Sequence, residues 1–139
     1  MLKKAKDYMI DVVDRLVQYD TPMGEVMDQM TSASFQAVIV VDENGHPMGI
    51  ITGSDLVREI VRELKSSVLS TGIAQFVMTR PVVSVPEDSL MLDTVEIMFK
   101  TRFHTLLVTT TPNEGRSKPV GLLTQIQVAK WWRDEYGIG

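Results

Sequence analysis

The octapeptide GIITGSDL, from Gly49 to Leu56, decides how this chain is organised. Its apolar first half is typical of a strand, and its polar second half, Thr52-Gly53-Ser54-Asp55, stands where a helical pattern begins. The same junction returns as GLLTQIQV, from Gly121 to Val128, with Gln127 in the position of Asp55. A junction that occurs twice in one chain indicates an internal repeat.

The repeat extends on both sides of this junction. DTPMGEVMDQM, which begins at Asp20, aligns with DSLMLDTVEIM, which begins at Asp88, and the apolar run AVIVV at 37–41 aligns with TLLVT at 105–109. Apolar side chains at i, i+4 and i+7 give each of the first two stretches one helix face: Met23, Met27 and Met30 in one half, Met91, Val95 and Met98 in the other. These methionines are typical of a core.

Each half therefore has the same predicted elements in the same order. An extended segment, DRLVQY or PVVSV, precedes the helix, and two strands follow it. Asn44-Gly45 predicts a hairpin turn in the first half, because both residues tolerate positive φ. A second helix closes each half, with Leu56, Ile60 and Leu64 in the first and VAKWWRDEY in the second. We predict an α/β (α+β) fold of two strand-helix-strand-strand-helix repeats.

The boundaries of the repeats follow from this alignment. We predict a first repeat in residues 1–65, a linker in 66–73 and a second repeat in 74–139, the linker being marked by KSSVLSTG. AKDYM and AQFVM stand in matching places near the start of the two repeats. Because one repeat of about 65 to 70 residues buries little surface alone, we expect the two to pack with pseudo-two-fold symmetry and to leave two related clefts.

Composition excludes several classes of protein. The chain has 139 residues, is 44% hydrophobic, contains no cysteine and carries a net charge of -4. An acidic chain without a basic stripe argues against nucleic acid as a partner. No apolar run has the roughly 18 residues of a membrane span, and acidic residues interrupt the region after MLKKAK where a signal peptide would be apolar. We expect a cytoplasmic protein that does not bind a membrane.

These residues resemble the cystathionine-β-synthase (CBS) domain family, and in particular a tandem pair of such domains, often called a Bateman module. VVDENGHPMGIITGSDL carries the resemblance in the first half, and VMTRPVVSVPEDSLMLDTVEIM and KPVGLLT carry it in the second. It covers nearly the whole chain, which looks like a free-standing module. The resemblance implies a regulatory module whose cleft between repeats binds AMP, ADP, ATP or S-adenosylmethionine. It also implies a homodimer of modules, with exposed helices such as the Met-rich one or the Trp-bearing C-terminal one at the contact.

The resemblance assigns residues to two sides of the ligand. The junction residues would hold the ribose and first phosphate: Ile50, Thr52, Ser54 and Asp55. Residues of the second half would contact the adenine: Pro81, Val82, Val83, Phe103, His104, Thr105 and Leu107. A carboxylate accepts charge-assisted hydrogen bonds from two ribose hydroxyls, a helix start favours a phosphate, and an aromatic ring such as Phe103 stacks on a purine.

A second, pseudo-symmetric site departs from the family pattern. It would use Thr124, Ile126 and Gln127 together with Phe35, Gln36 and Ala37. Gln127 lacks the charge of an Asp, which predicts a weaker site. Arg58, Arg102 and Lys118 are candidates for the phosphate, and the spacing does not select among them.

Other interpretations stay open at the level of sequence. Ser54 or Asp55 could simply cap the helix at Leu56. The chain could be an interaction or dimerisation module without a small-molecule ligand, or the regulatory piece of a larger enzyme or transporter. No catalytic motif is present, so we expect no enzyme activity and no cofactor beyond the regulatory nucleotide. His46, in a turn that we expect to be exposed, and His104 do not form a metal-site pattern. Of Trp131 and Trp132, one is expected in the core and the other at an interface or surface.

Overall fold

The computed structural model describes residues 2–66, 72–80, 82–110 and 117–137. It is a mixed α/β fold, as predicted. The elements in chain order are α1 (Ala5–Tyr8), β1 (Ile10–Asp11), β2 (Leu16–Gln18), α2 (Met23–Ala33), β3 (Ala37–Val41), β4 (Pro47–Thr52), α3 (Gly53–Lys65), α4 (Ala74–Val77), β5 (Ser84–Pro86), α5 (Met91–Thr101), β6 (Thr105–Thr109), β7 (Pro119–Thr124) and α6 (Gln125–Tyr136). The predicted repeat order occurs twice, as β2-α2-β3-β4-α3 and β5-α5-β6-β7-α6.

The chain divides into two compact units. Residues 13–82 form one, which we call the Asp55 unit, and residues 1–12 with 83–139 form the other, the His104 unit. The repeat boundaries predicted above describe the repetition along the chain and stay a prediction, with linker residues 67–71 outside the described ranges. The units are divided differently, because the segment that opens each repeat in the sequence belongs to the other repeat's unit.

The Asp55 unit is built on a three-stranded sheet in the order β2-β3-β4. Strand β3 runs parallel to β2 and antiparallel to β4, and all five of its residues are buried. The hairpin between β3 and β4 turns at Gly45, whose φ of 81° is positive, while Asn44 has an ordinary φ. The core contains Val26, Met30, Val38, Val40 and Ile51.

The His104 unit is built on a four-stranded sheet in the order β1-β7-β6-β5. Strands β6 and β7 form the antiparallel hairpin, and β5 runs parallel to β6. The core contains Met91, Met98, Leu106, Val108, Leu123 and Trp131. Trp131 is 6% exposed and Trp132 is 48% exposed, so one tryptophan lies in the core and the other on the surface, as predicted.

A short helix completes each unit in the same way. In the Asp55 unit, α4 begins at the fully buried Ala74, and the Met78 side chain after it lies on the backbone of Gly49. In the His104 unit, α1 begins at the buried Ala5, and Met9 lies on Gly121. A side chain at either glycine would occupy the volume of the methionine. This close approach explains why both junctions begin with glycine.

The methionine faces lie in the core, whereas the second helix of the first repeat has an unexpected orientation. Met23, Met30, Met91 and Met98 are all buried, so the Met-rich face is not available for a dimer contact. Helix α3 forms as predicted, but its apolar spacing does not mark a buried face: Leu56 packs against the core, while Ile60 and Leu64 are exposed. None of the described helices is long and apolar enough to cross a membrane.

Candidate functional site

Helix α3 begins within the junction GIITGSDL, at Gly53. Thr52 is its N-cap and Asp55 is its third residue, and the two form a capping box. The Thr52 backbone N–H donates to Oδ2 of Asp55 over 2.8 Å. The capping interpretation is wrong for both Ser54 and Asp55 as N-caps, because the helix starts at Gly53 and Thr52 is its N-cap. Asp55 contributes to the cap from the third helical position, and Ser54 is exposed.

Asp55 does more in this unit than complete a cap. The residue is 1% exposed. Its Oδ2 also accepts from the Thr52 hydroxyl over 3.2 Å, and its Oδ1 accepts from Nη2 of Arg58 over 2.5 Å and from the Thr79 hydroxyl over 2.6 Å. A carboxylate has about four acceptor positions. All of them have donors within the Asp55 unit.

A second acidic side chain is buried on the same face of α3. Glu59 is 6% exposed and forms a bidentate contact with the guanidinium of Arg62. That hydrogen bonding lowers the pKa of Glu59 below its ordinary value, against the opposing effect of burial. Helix α3 thus turns two carboxylates inward, each paired with an arginine three residues later. Sequence periodicity missed this pairing, although the i, i+3 spacing of opposite charges was its signal.

Gln127 occupies the corresponding position in the His104 unit. Thr124 is the N-cap of α6, and its backbone N–H donates to Oε1 of Gln127 over 3.0 Å. The Thr124 hydroxyl also bonds to that oxygen. Gln127 lines a cavity of about 420 Å³ with Lys3, Tyr8, Lys130 and Asp134, among others. The neutral amide therefore replaces the capping function of Asp55 without its ion pair.

A cavity of the His104 unit lies where α5 leads into β6. It has a volume of about 660 Å³ and is lined by Val95, Met98, Phe99, Lys100, Arg102, Phe103, His104 and Gln125. Phe103 and His104 had been assigned to the adenine side, and Arg102 was one of three phosphate candidates. Arg102 ends helix α5 in the left-handed region, with φ of 60°. Lys100 was missed, because nothing in the repeat pattern distinguishes it from a solvated helix residue.

The remaining predicted site residues lie in varied surroundings. In the Asp55 unit, Ile50 and Ala37 are buried, Thr52, Phe35 and Val82 are half-buried and Gln36 is exposed. In the His104 unit, Leu107 is buried, Val83 and Thr105 are half-buried and Ile126 is exposed. The guanidinium of Arg15 lies over the Phe35 ring, 4.2 Å from the ring centroid. Pro81 lies outside the described residues.

The two histidines differ in exposure. His46 is half-buried, not exposed as predicted, because the hairpin turn folds its backbone N–H onto Oδ1 of Asp42 over 2.9 Å. His104 is exposed at the cavity just described. Within residues 2–66, 72–80, 82–110 and 117–137, no three His, Cys, Asp or Glu side chains are grouped so as to hold a metal ion.

A sequence profile of the CBS domain matches residues 5–62 and 73–134. The chain belongs to the CBS domain family. Arabinose 5-phosphate isomerase KpsF of Escherichia coli is 39% identical over 98 residues, which are 70% of this chain and 29% of the isomerase. An uncharacterised protein of Methanopyrus kandleri is 29% identical over 100 residues, which are 72% of this chain and 48% of that protein. The chain thus spans less than half the length of these curated relatives.

Solved CBS structures have the same fold. The structure of CBSX2 in complex with AMP has a TM-score of 0.75 and 19% identity, covering 96% of this chain and 98% of that one. The CBS domain pair of protein MJ0100 in complex with 5-methylthioadenosine and S-adenosyl-L-methionine has a TM-score of 0.78 and 18% identity, covering 97% and 99%. At these identities the likeness establishes the fold of a CBS domain pair.

Proposed function

We propose that this CBS domain pair is a regulatory module that binds an adenosine-containing ligand: AMP, ADP, ATP or S-adenosylmethionine. The observation that carries the proposal is the cavity of the His104 unit, which combines an apolar wall with two cationic side chains, Lys100 and Arg102. The relatives add support, since one solved CBS structure contains AMP and another contains S-adenosyl-L-methionine.

The cavity suits the two parts of a nucleotide. Phe99 and Phe103 offer aromatic faces to a purine, and such contacts favour offset or edge-on packing of flat rings. The guanidinium of Arg102 matches two phosphate oxygens at once, whereas Lys100 acts as a point charge. Of the three phosphate candidates, Arg102 is the one that lines this cavity. Lys118 is not among the residues that line it. Arg58 lies in the Asp55 unit, where it is the phosphate candidate beside the carboxylate of Asp55.

We assign the ribose to Asp55 on the family resemblance and on the buried carboxylate at the start of α3. Burial strengthens a hydrogen bond to an ionised acceptor, because competing water is excluded. Because this carboxylate already has four internal donors, a ribose hydroxyl has to displace one of them.

Thermal unfolding with a ligand panel tests the proposed function. AMP, ADP, ATP, S-adenosylmethionine, NAD and GTP would each be added at millimolar concentration. A ligand at about 100 times its Kd stabilises the folded protein by about 2.7 kcal/mol, so the melting temperature rises by several degrees. GTP is the control for base identity, and NAD tests whether a larger adenosine compound also binds. A panel in which no adenosine compound moves the melting temperature would contradict the proposal.

A second candidate function is homodimerisation. Four apolar side chains at i, i+3, i+4 and i+7 form an exposed stripe on α3: Val57, Ile60, Val61 and Leu64. Two copies of such a stripe can cover each other in an isologous contact. The stripe replaces the Met-rich face as our proposed dimer surface in the Asp55 unit.

The match to KpsF supports a third possibility, that this module regulates an enzyme. The matched segment covers 29% of the length of the isomerase. We propose for this chain the regulatory role of a CBS pair and no catalysis of its own. An isomerase assay on the purified chain with arabinose 5-phosphate should give no turnover, and measurable turnover would contradict this assignment.

A further inference from the structure

The carboxylate of Asp55, to which we assign the ribose, already accepts hydrogen bonds from Thr52, Thr79 and Arg58. Arg58 differs from the two threonines in its exposure to solvent. Thr52 holds Oδ2 through its backbone N–H and hydroxyl, both fixed by the start of α3. Thr79 reaches Oδ1 from a backbone bridge with Ile50, in which each residue donates its N–H to the other's carbonyl. The Thr52 N–H cannot leave without breaking the start of α3, and the bridge fixes the backbone that positions the Thr79 hydroxyl.

Arg58 is different, because its side chain is 64% exposed while the Asp55 side chain is 2% exposed. Its guanidinium reaches down to Oδ1 from solvent and also donates to the Val77 carbonyl over a longer 3.3 Å. Releasing it returns a long and mostly exposed side chain to water, while the Thr52 N–H and the two threonine hydroxyls stay on Asp55. A ribose hydroxyl that approaches Asp55 would therefore displace Arg58 and not Thr52 or Thr79.

We infer that Arg58 is a specificity-determining residue: it occupies the ribose-binding carboxylate in the free protein and exchanges Asp55 for the phosphate of the incoming nucleotide. This inference rests on the proposed function. A guanidinium released at the start of α3 lies beside backbone N–H groups that also favour an anion. A phosphorylated nucleoside supplies both halves of the exchange, a hydroxyl for Asp55 and an anion for Arg58. An unphosphorylated nucleoside supplies only the first.

Calorimetric titration of adenosine and AMP into wild type and Arg58→Ala tests the exchange. The variant should bind adenosine at least fivefold more tightly, because the nucleoside no longer has to displace the hydrogen bond from Arg58 to the buried carboxylate. AMP should not gain, because it loses the arginine that would hold its phosphate. The ratio of AMP affinity to adenosine affinity should thus fall by fivefold or more.

Arg62→Ala is the matched control, because it removes the same charge one turn further along α3, from an arginine that is paired with Glu59 and is 51% exposed. Its affinity ratio should equal that of wild type. Arg58→Gln provides a second variant of similar length, should Arg58→Ala fold poorly, and it should shift the ratio in the same direction. An unchanged ratio in both Arg58 variants, or an equal shift in Arg62→Ala, would overturn the inference while leaving nucleotide binding intact. Absence of binding by wild type and by both Arg58 variants would overturn the proposed function together with it.

Discussion

The thioether of Met78 lies directly on the backbone of Gly49, where an added Cβ would come within 2.6 Å of its sulfur. Because Met78 is 8% exposed and belongs to the core of the Asp55 unit, it has little room to move. Gly49→Ala should therefore destabilise the protein by about 1–3 kcal/mol, the usual range for overpacking. Urea unfolding of the purified variant measures this.

Gly24→Ala is the control for that variant. Gly24 lies in α2, and a Cβ there would meet no atom within 4 Å. Alanine is the better helix former, so this change should stabilise the protein by about 0.5–1 kcal/mol. Equal effects of the two substitutions would contradict the close approach of Met78 and Gly49.

Asp55 and Gln127 allow the cost of a cap to be separated from the cost of a buried network. Gln127→Ala should cost about 1 kcal/mol, since it removes a capping partner of Thr124. Asp55→Ala removes the equivalent cap and also the hydrogen bonds from Arg58 and Thr79 to a buried carboxylate, and a hydrogen bond to a charged group contributes about 1.5–3 kcal/mol. Chemical denaturation should therefore show a larger loss for Asp55→Ala. Equal losses would mean that Asp55 acts only as a cap.

The sequence was sufficient for the order of elements and for much of their extent. The runs AVIVV and TLLVT coincide with β3 (Ala37–Val41) and β6 (Thr105–Thr109), because uninterrupted β-branched and leucine residues suit a buried strand. The internal repeat supported the order of the other elements, because the same pattern occurs in both halves of the chain. The capping box is also present in the sequence as Thr52-x-x-Asp55, a pattern that the interpretation of Ser54 or Asp55 as the cap does not use.

Two features could not be predicted from local patterns. The exchange of α1 and α4 between repeats depends on contacts between distant residues, such as Met9 with Gly121, and sequence spacing carries no information on which copy a segment joins. The orientation of α3 was not predicted, because periodicity identifies an amphipathic helix but does not show which face is buried. Here the buried face contains acidic residues that form ion pairs with arginines of the same helix. Asp55 and Glu59 are buried in this way, while Leu64 is 80% exposed.

The Glu59–Arg62 pair makes stability depend on acid pH. The Arg62 hydrogen bond lowers the pKa of Glu59 in the folded protein, so the pair contributes stability at pH above about 4.5, and this contribution is lost as the pH falls through the lowered folded value. Glu59→Gln should remove this part of the pH dependence. Urea unfolding between pH 3 and 7 measures the slope.

Arg62→Ala should reduce the same slope. It removes the largest influence that lowers the pKa of Glu59 and leaves burial, which raises that pKa, opposed by weaker influences from Glu63 and Arg58. Identical pH profiles for wild type, Glu59→Gln and Arg62→Ala would contradict the buried pair.

The apolar stripe of α3 should determine the oligomeric state. Ile60→Glu with Leu64→Glu places two carboxylates in the proposed contact, where like charges would face each other across the two-fold axis. The double variant should be a monomer in sedimentation analysis at concentrations where wild type is a dimer. Leu2→Glu, which charges an exposed apolar residue outside the stripe, should leave the dimer intact. A monomeric wild type would contradict this second function.

Arg102 permits a test of nucleotide binding that does not depend on stability. Its φ of 60° is unfavourable for a side chain, so Arg102→Gly removes the guanidinium while relieving the backbone. Ser34 ends α2 with φ of 56°, so Ser34→Gly gives the same backbone relief without loss of charge. Both variants should be as stable as wild type or more so. Only Arg102→Gly should lose affinity for AMP, by about tenfold or more, since a hydrogen bond to a charged group contributes about 1.5–3 kcal/mol. Equal AMP affinity in the two variants would remove Arg102 and its cavity from the nucleotide site.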